Sequence, residues 1–118
     1  MFYSLDQFED LDQIPELSVI ENTRFCIGEK TNDIDLSKRL AKLADLFVLD
    51  AFATSHRAHA STTGVITFST DACAGLLLDE ELNALSKVKE ESKNSVAILG
   101  GAKISTKLSL INSLSKSM

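Results

Sequence analysis

Short, uniformly apolar runs separated by stretches of helical period constrain this chain more than any other feature. "LSVIEN" (17–22), "LFVLD" (46–50) and "SVAILGG" (95–101) are too short for helices and lack in–out alternation. Strands of that kind are covered on both faces, as in parallel sheets. From 33 to 44, Leu36, Leu40 and Leu43 recur at helical spacing, with Lys38, Arg39 and Lys42 on the wet side. Asn32 is the candidate N-cap of that helix. A longer helix is expected from Ala72 to about Lys89, capped by Thr70 and Asp71, with Leu78, Leu82, Leu85 and Val88 on its apolar face. "KVKEESKNS" reads as a linker, and "AKISTKLSLINSLSK" as a last helix. The β-branched run "TTGVITF" (62–68) reads as a further strand. Alternation of strand and helix predicts an α/β protein with a parallel sheet. That sheet is expected to be cut at both ends.

Composition narrows the partners. The chain has 118 residues, enough for one small domain, and is 44% hydrophobic and 25% charged, which is globular rather than disordered composition. A net charge of -5 argues against a nucleic-acid partner, which needs a basic face. Small anions are not excluded, because a local basic cluster can oppose the net charge. Cys26 and Cys73 form no C-x-x-C pair and read as reduced thiols of a cytosolic protein. The acidic amino-terminal stretch has no basic n-region, so no signal peptide is expected. No apolar run reaches the ~20 residues that span a bilayer, so no membrane partner is expected.

Three stretches carry candidate chemistry. Arg24 stands just past the first strand, in "IENTRF". Arg57 stands past the second, in "TSHRAHAS", flanked by His56 and His59. Ligands of open parallel sheets bind beyond the carboxyl ends of strands. A guanidinium fork there suits phosphate or carboxylate. The plainer alternative is two surface arginines in loop salt bridges. Two histidines without a third ligand do not make a zinc site, and no metal is expected on them. An anion near His56, or a loop hydrogen bond for His59, fits better. The third stretch is "LGGAKISTK" (99–107). Its glycine pair permits close backbone approach, and the helix that follows offers free N–H groups. Lys103 and Lys107 lie on one face of that helix, where an anion relieves their repulsion. The loop is not a Walker A motif.

Together "ENTRF…GE", "DAFATSHRAHASTTGV", "AGLLLDEELNAL" and "VAILGGAKISTKL" resemble phosphoglycerate kinase in order and spacing, over roughly residues 17–115. The resemblance implies an incomplete, Rossmann-like three-layer lobe, then a long interlobe helix and the first strand–helix unit of a second lobe. Residues 1–71 would belong to the phosphoglycerate-binding lobe, 72–92 to the interlobe helix and linker, and 93–118 to the nucleotide lobe. It implies a cytoplasmic glycolytic kinase that moves a phosphoryl group between 1,3-bisphosphoglycerate and ADP, giving 3-phosphoglycerate and ATP with Mg2+. Such enzymes are usually monomeric. Arg24, Arg57 and His56 would bind substrate. Lys103 would be the catalytic lysine, and Gly101, Ala102 and Lys107 would line the nucleotide.

The chain also departs from the family. Its members are several times longer, and the residues that hold magnesium are not expected in this chain. The chain is therefore expected to be a fragment, inactive alone. The other readings are an anion-binding remnant without activity, or half of a split enzyme. Residues 1–16 match poorly and are expected to be a chance start. "DAFAT" replaces the family's "DAFGT", so Ala53 is expected to crowd a backbone that wants room or positive φ.

Overall fold

The computed structural model describes residues 2–9, 15–90, 96, 98, 100 and 108–117. β1 (Phe2–Tyr3) pairs in parallel with β2 (Val19–Ile20), Phe2 opposite Val19. A 3-10 turn, Leu5–Glu9, follows β1 and sinks Leu5 into the core beside Leu36 and Ala60. Residues 2–9 are thus part of the fold, because their strand and Leu5 are used.

α1 (Ile34–Ala41) is the helix that the leucine spacing foretold. Leu36 is buried, and Leu40 and Leu43 pack against the same cluster. Its N-cap is Asp33, not Asn32: Asp33 is extended and its Oδ1 accepts the Leu36 N–H at 2.9 Å. Asn32 sits at φ 56°, left-handed, and closes the preceding turn instead. On the exposed side, Arg39 pairs with Asp6 at 2.7 Å, and Lys38 Nζ lies 5.4 Å from the Phe68 ring centre.

β3 (Leu46–Leu49) pairs in parallel with β4 (Asp71–Ala74), Leu46 opposite Asp71 and Leu49 opposite Ala74. Two expectations fail here. The long helix does not begin at Ala72, because residues 71–74 find a strand partner in β3. It begins as α4 (Leu76–Glu90). Its first turn is satisfied from outside: Asp50 Oδ1 accepts the Leu78 N–H at 2.9 Å, a cap from the end of β3 rather than from Thr70 or Asp71. Asp50→Ala should therefore lower stability by about 1 kcal/mol, read as a lower urea midpoint, whereas Asp71→Ala should change it little.

The second failure is "TTGVITF". It forms a π-helical turn, Ala60–Gly64, running into α3 (Val65–Phe68). Packing overrides β-branched propensity: Ala60, Thr62, Gly64 and Val65 are all buried, and this segment packs on α1. The threonine hydroxyls join the helical pattern, Thr67 Oγ1 donating to the Thr63 carbonyl at 3.0 Å.

β3 also alternates, against expectation. Phe47 and Leu49 are half-buried while Leu46 and Val48 are exposed, so one face of β3 is partly covered, whereas all four residues of β4 are exposed. The architecture is the expected incomplete α/β lobe with parallel strands. Met1–Leu78 and Asp79–Met118 form separate compact units. In the second, the rest of α4 leaves Leu82 and Leu85 half-exposed, and α5 (Leu108–Ser117) covers the later part of the expected last helix. The expected strand 95–101 lies largely outside the described residues. No helix of the described residues is long and apolar enough to cross a membrane.

Candidate functional site

Arg24 is carried on a 3-10 turn, Thr23–Phe25, immediately after β2. Asn22 shapes the turn, its side chain accepting the Arg24 N–H at 3.1 Å, and the Cys26 N–H closes it on the Thr23 carbonyl at 2.9 Å. The turn leaves Arg24 exposed. Burial pushes the Cys26 thiol up, and the Glu29 carboxylate adds to that.

Arg57 and His56 follow α2 (Phe52–Ser55), one turn beyond β3. His56 is the C-cap and is exposed, as is Arg57. The backbone of Arg57 is well held. Its N–H donates to Thr54 at 3.0 Å, and its carbonyl accepts from the His59 N–H at 3.0 Å and Thr62 Oγ1 at 2.6 Å. A fixed backbone beneath a free side chain is what an anion-binding arginine needs. Among the described residues, no ion pair engages either guanidinium.

Ala53, the expected misfit, lies within α2, and its φ is not positive; among the described residues Asn32 is the one non-glycine with positive φ. Alanine is therefore at ease there. Ala53→Gly should destabilise by about 0.5–1 kcal/mol, and a raised melting temperature would show that the position wants glycine after all.

One residue missed by sequence reasoning ties these turns together. Glu29 is 3% exposed. Its carboxylate accepts Ser61 Oγ at 2.5 Å and the Ser61 N–H at 3.1 Å, and its carbonyl accepts the Ala60 N–H at 2.9 Å. His59 Nδ1 lies 3.8 Å from Glu29 Oε1, beyond hydrogen-bond distance, while its backbone N–H donates to the Arg57 carbonyl at 3.0 Å. The signal was the "GE" of the first motif.

A cavity of about 430 Å³ lies elsewhere. Asp6, Glu21, Asp33 and Asp35 are among its lining, and neither Arg24 nor Arg57 is. Its carboxylates outnumber its one arginine, Arg39, a balance that does not favour a phosphorylated ligand. Gly101, Ala102, Lys103 and Lys107 lie outside the described residues. Among the described residues, no three His, Cys, Asp or Glu side chains converge as metal ligands.

A family model described as phosphoglycerate kinase matches residues 7–118, a wider span than the motifs alone suggested. Two curated relatives named phosphoglycerate kinase, from Haemophilus influenzae strains PittGG and Rd, are 57% identical over 102 residues. The match covers 86% of this chain and 26% of each relative, so the chain spans about a quarter of their length. The solved structure of phosphoglycerate kinase from Coxiella burnetii is similar at a TM-score of 0.80 and 45% identity, over 96% of this chain and 30% of that one.

Proposed function

This chain belongs to the phosphoglycerate kinase family, and from that premise we propose that it supplies the phosphoglycerate-binding arginines of a glycolytic phosphotransferase. The observation that carries the reading is the exposure of Arg24 and Arg57, without ion pairs among the described residues, beyond β2 and β3 within the family's "TRF" and "HRAH" motifs. Guanidinium forks there bind the carboxylate or phosphate of 3-phosphoglycerate or 1,3-bisphosphoglycerate, with His56 as a further polar contact.

Phosphoryl transfer asks a protein chiefly to position the reactants and neutralise charge on the moving group. The arginines orient the phosphoglycerate. Lys103 neutralises the transferring group, and Gly101, Ala102 and Lys107 receive the phosphates of ADP or ATP. Mg2+ arrives with the nucleotide. Residues 1–71 belong to the phosphoglycerate lobe, 72–92 to the connection and 93–118 to the nucleotide lobe, and the whole works as a cytoplasmic monomer.

Because the chain spans a quarter of its relatives, full turnover is proposed for the enzyme in which this segment works, and binding for the segment itself. The test is a thermal melt of the purified chain with and without 3-phosphoglycerate, beside a coupled kinase assay. A ligand that binds only the folded state raises the melting temperature. We expect that rise without turnover. A melt indifferent to 3-phosphoglycerate overturns the binding assignment, and turnover by the chain alone overturns its partial role.

A further inference from the structure

We propose that Glu29 is a positioning residue that sets the spacing between the two arginine-bearing turns; the inference rests on the reading of Arg24 and Arg57 above. Arg24 and Arg57 stand on turns that follow strands of two different two-stranded sheets. Among the described residues, no sheet hydrogen bond therefore fixes one turn against the other. Glu29 does so.

On one side it joins the turn that follows Arg24, its N–H donating to the Cys26 carbonyl at 3.3 Å while the Cys26 N–H closes the Arg24 turn on Thr23. On the other it takes the first two N–H groups of the Ala60–Gly64 turn, Ala60 on its carbonyl and Ser61 on its carboxylate. Those are orphan donors of a helical start, which a carboxylate satisfies well. Thr62, in the same turn, holds the Arg57 carbonyl at 2.6 Å. A connected path of bonds thus runs from Thr23 through Glu29 and Ser61 to the backbone of Arg57. A buried charge is strongly bound to its partners, because leaving either side unpaired in a dry site is costly.

A mere structural prop would weaken the fold evenly. A positioning residue loosens the two turns and loses its influence on binding once an arginine is gone. The experiment takes the full chain, isotopically labelled, as wild type, Glu29→Gln, Ser61→Ala, Arg57→Ala and the Glu29→Gln/Arg57→Ala pair. Amide exchange and amide proton shifts are read at 23–29 and 57–62, with the β3–β4 amides as internal control, and 3-phosphoglycerate is titrated into each.

Glu29→Gln keeps the size and one acceptor oxygen but loses the carboxylate charge, so the Ser61 N–H meets a neutral, weaker acceptor and the new NH2 faces the Ser61 hydroxyl. We expect an upfield shift of the Ser61 amide proton and about tenfold faster exchange at Ala60 and Ser61, with the β3–β4 amides unchanged. Ser61→Ala should speed exchange at Ala60 in the same direction, so the inference stays testable if Glu29→Gln folds poorly. Affinity should fall about tenfold in Glu29→Gln and no further in the pair than in Arg57→Ala alone. Unchanged exchange at 57–62, equal acceleration everywhere, or additive losses of affinity in the pair would each overturn the inference. Wild-type chain that binds no 3-phosphoglycerate overturns the substrate reading by itself, and the exchange pattern then decides the role of Glu29.

Discussion

Arg57→Ala is expected to weaken 3-phosphoglycerate binding about tenfold, and so to shrink the stabilisation that ligand gives the chain, while leaving its unliganded melt within about 0.5 kcal/mol of wild type. The two halves of that expectation have separate causes. The side chain is exposed and engaged in no ion pair among the described residues, so its removal costs the fold little. The backbone stays where it was, because Thr54, His59 and Thr62 hold it through main-chain atoms that alanine retains. The ligand loses a charge-assisted pair of hydrogen bonds, worth roughly 1.5–3 kcal/mol. An exposed site lies at the low end of that range, which is still about tenfold in affinity. Arg57→Lys separates charge from shape: it keeps the former, loses the planar fork, and should bind between wild type and alanine. Raised salt should weaken wild type more than Arg57→Ala, since the variant has less electrostatic attraction to screen. A melt of Arg57→Ala that still rises fully with 3-phosphoglycerate would move the anion away from the "HRAH" loop.

What the sequence disclosed follows from how local each feature is. α1 was legible because Leu36, Leu40 and Leu43 repeat on one face and bury there. β3 was legible as a continuous apolar run. Residues 71–74 were not, because "DACA" becomes a strand only through its pairing with β3, a partner remote in sequence. Residues 60–68 failed for the opposite reason. Their threonines, Val65 and Ile66 favour a strand locally, yet Glu29 takes their first amides and α1 takes their buried face. In the site, Arg24 and Arg57 were marked by strand ends and by motif. Glu29 was hidden, since a glutamate in a turn reads as solvated until its burial against Ser61 is seen. Asp50 was hidden likewise, its cap on α4 spanning a sheet rather than one helical turn.

Gly64→Ala carries the largest expected loss of stability. Gly64 is buried where the Ala60–Gly64 turn meets α1, and an added Cβ would overlap the Ser37 hydroxyl and Cβ and the Asn32 Oδ1. Two effects oppose each other. Alanine favours a helix over glycine by up to about 1 kcal/mol. Overpacking a close contact costs about 1–3 kcal/mol. The second wins because the neighbours cannot step aside. Ser37 is fully buried, and its hydroxyl is tied to the Asp33 carbonyl at 2.6 Å. Asn32 is committed to a left-handed turn, and its buried Oδ1 has no hydrogen-bond partner among the described residues. A Cβ pressed on that oxygen removes space without supplying a donor. The denaturation midpoint should fall, and Gly64→Val should lower it further. The cause is separable by a double change. Ser37→Gly removes the obstructing side chain, so Ser37→Gly with Gly64→Ala should be more stable than the sum of the two single losses. Additive losses would mean that Gly64 is needed for its backbone rather than for room. Gly64 lies in a right-handed helical conformation that any residue adopts, so room is the requirement the contact between these two elements imposes.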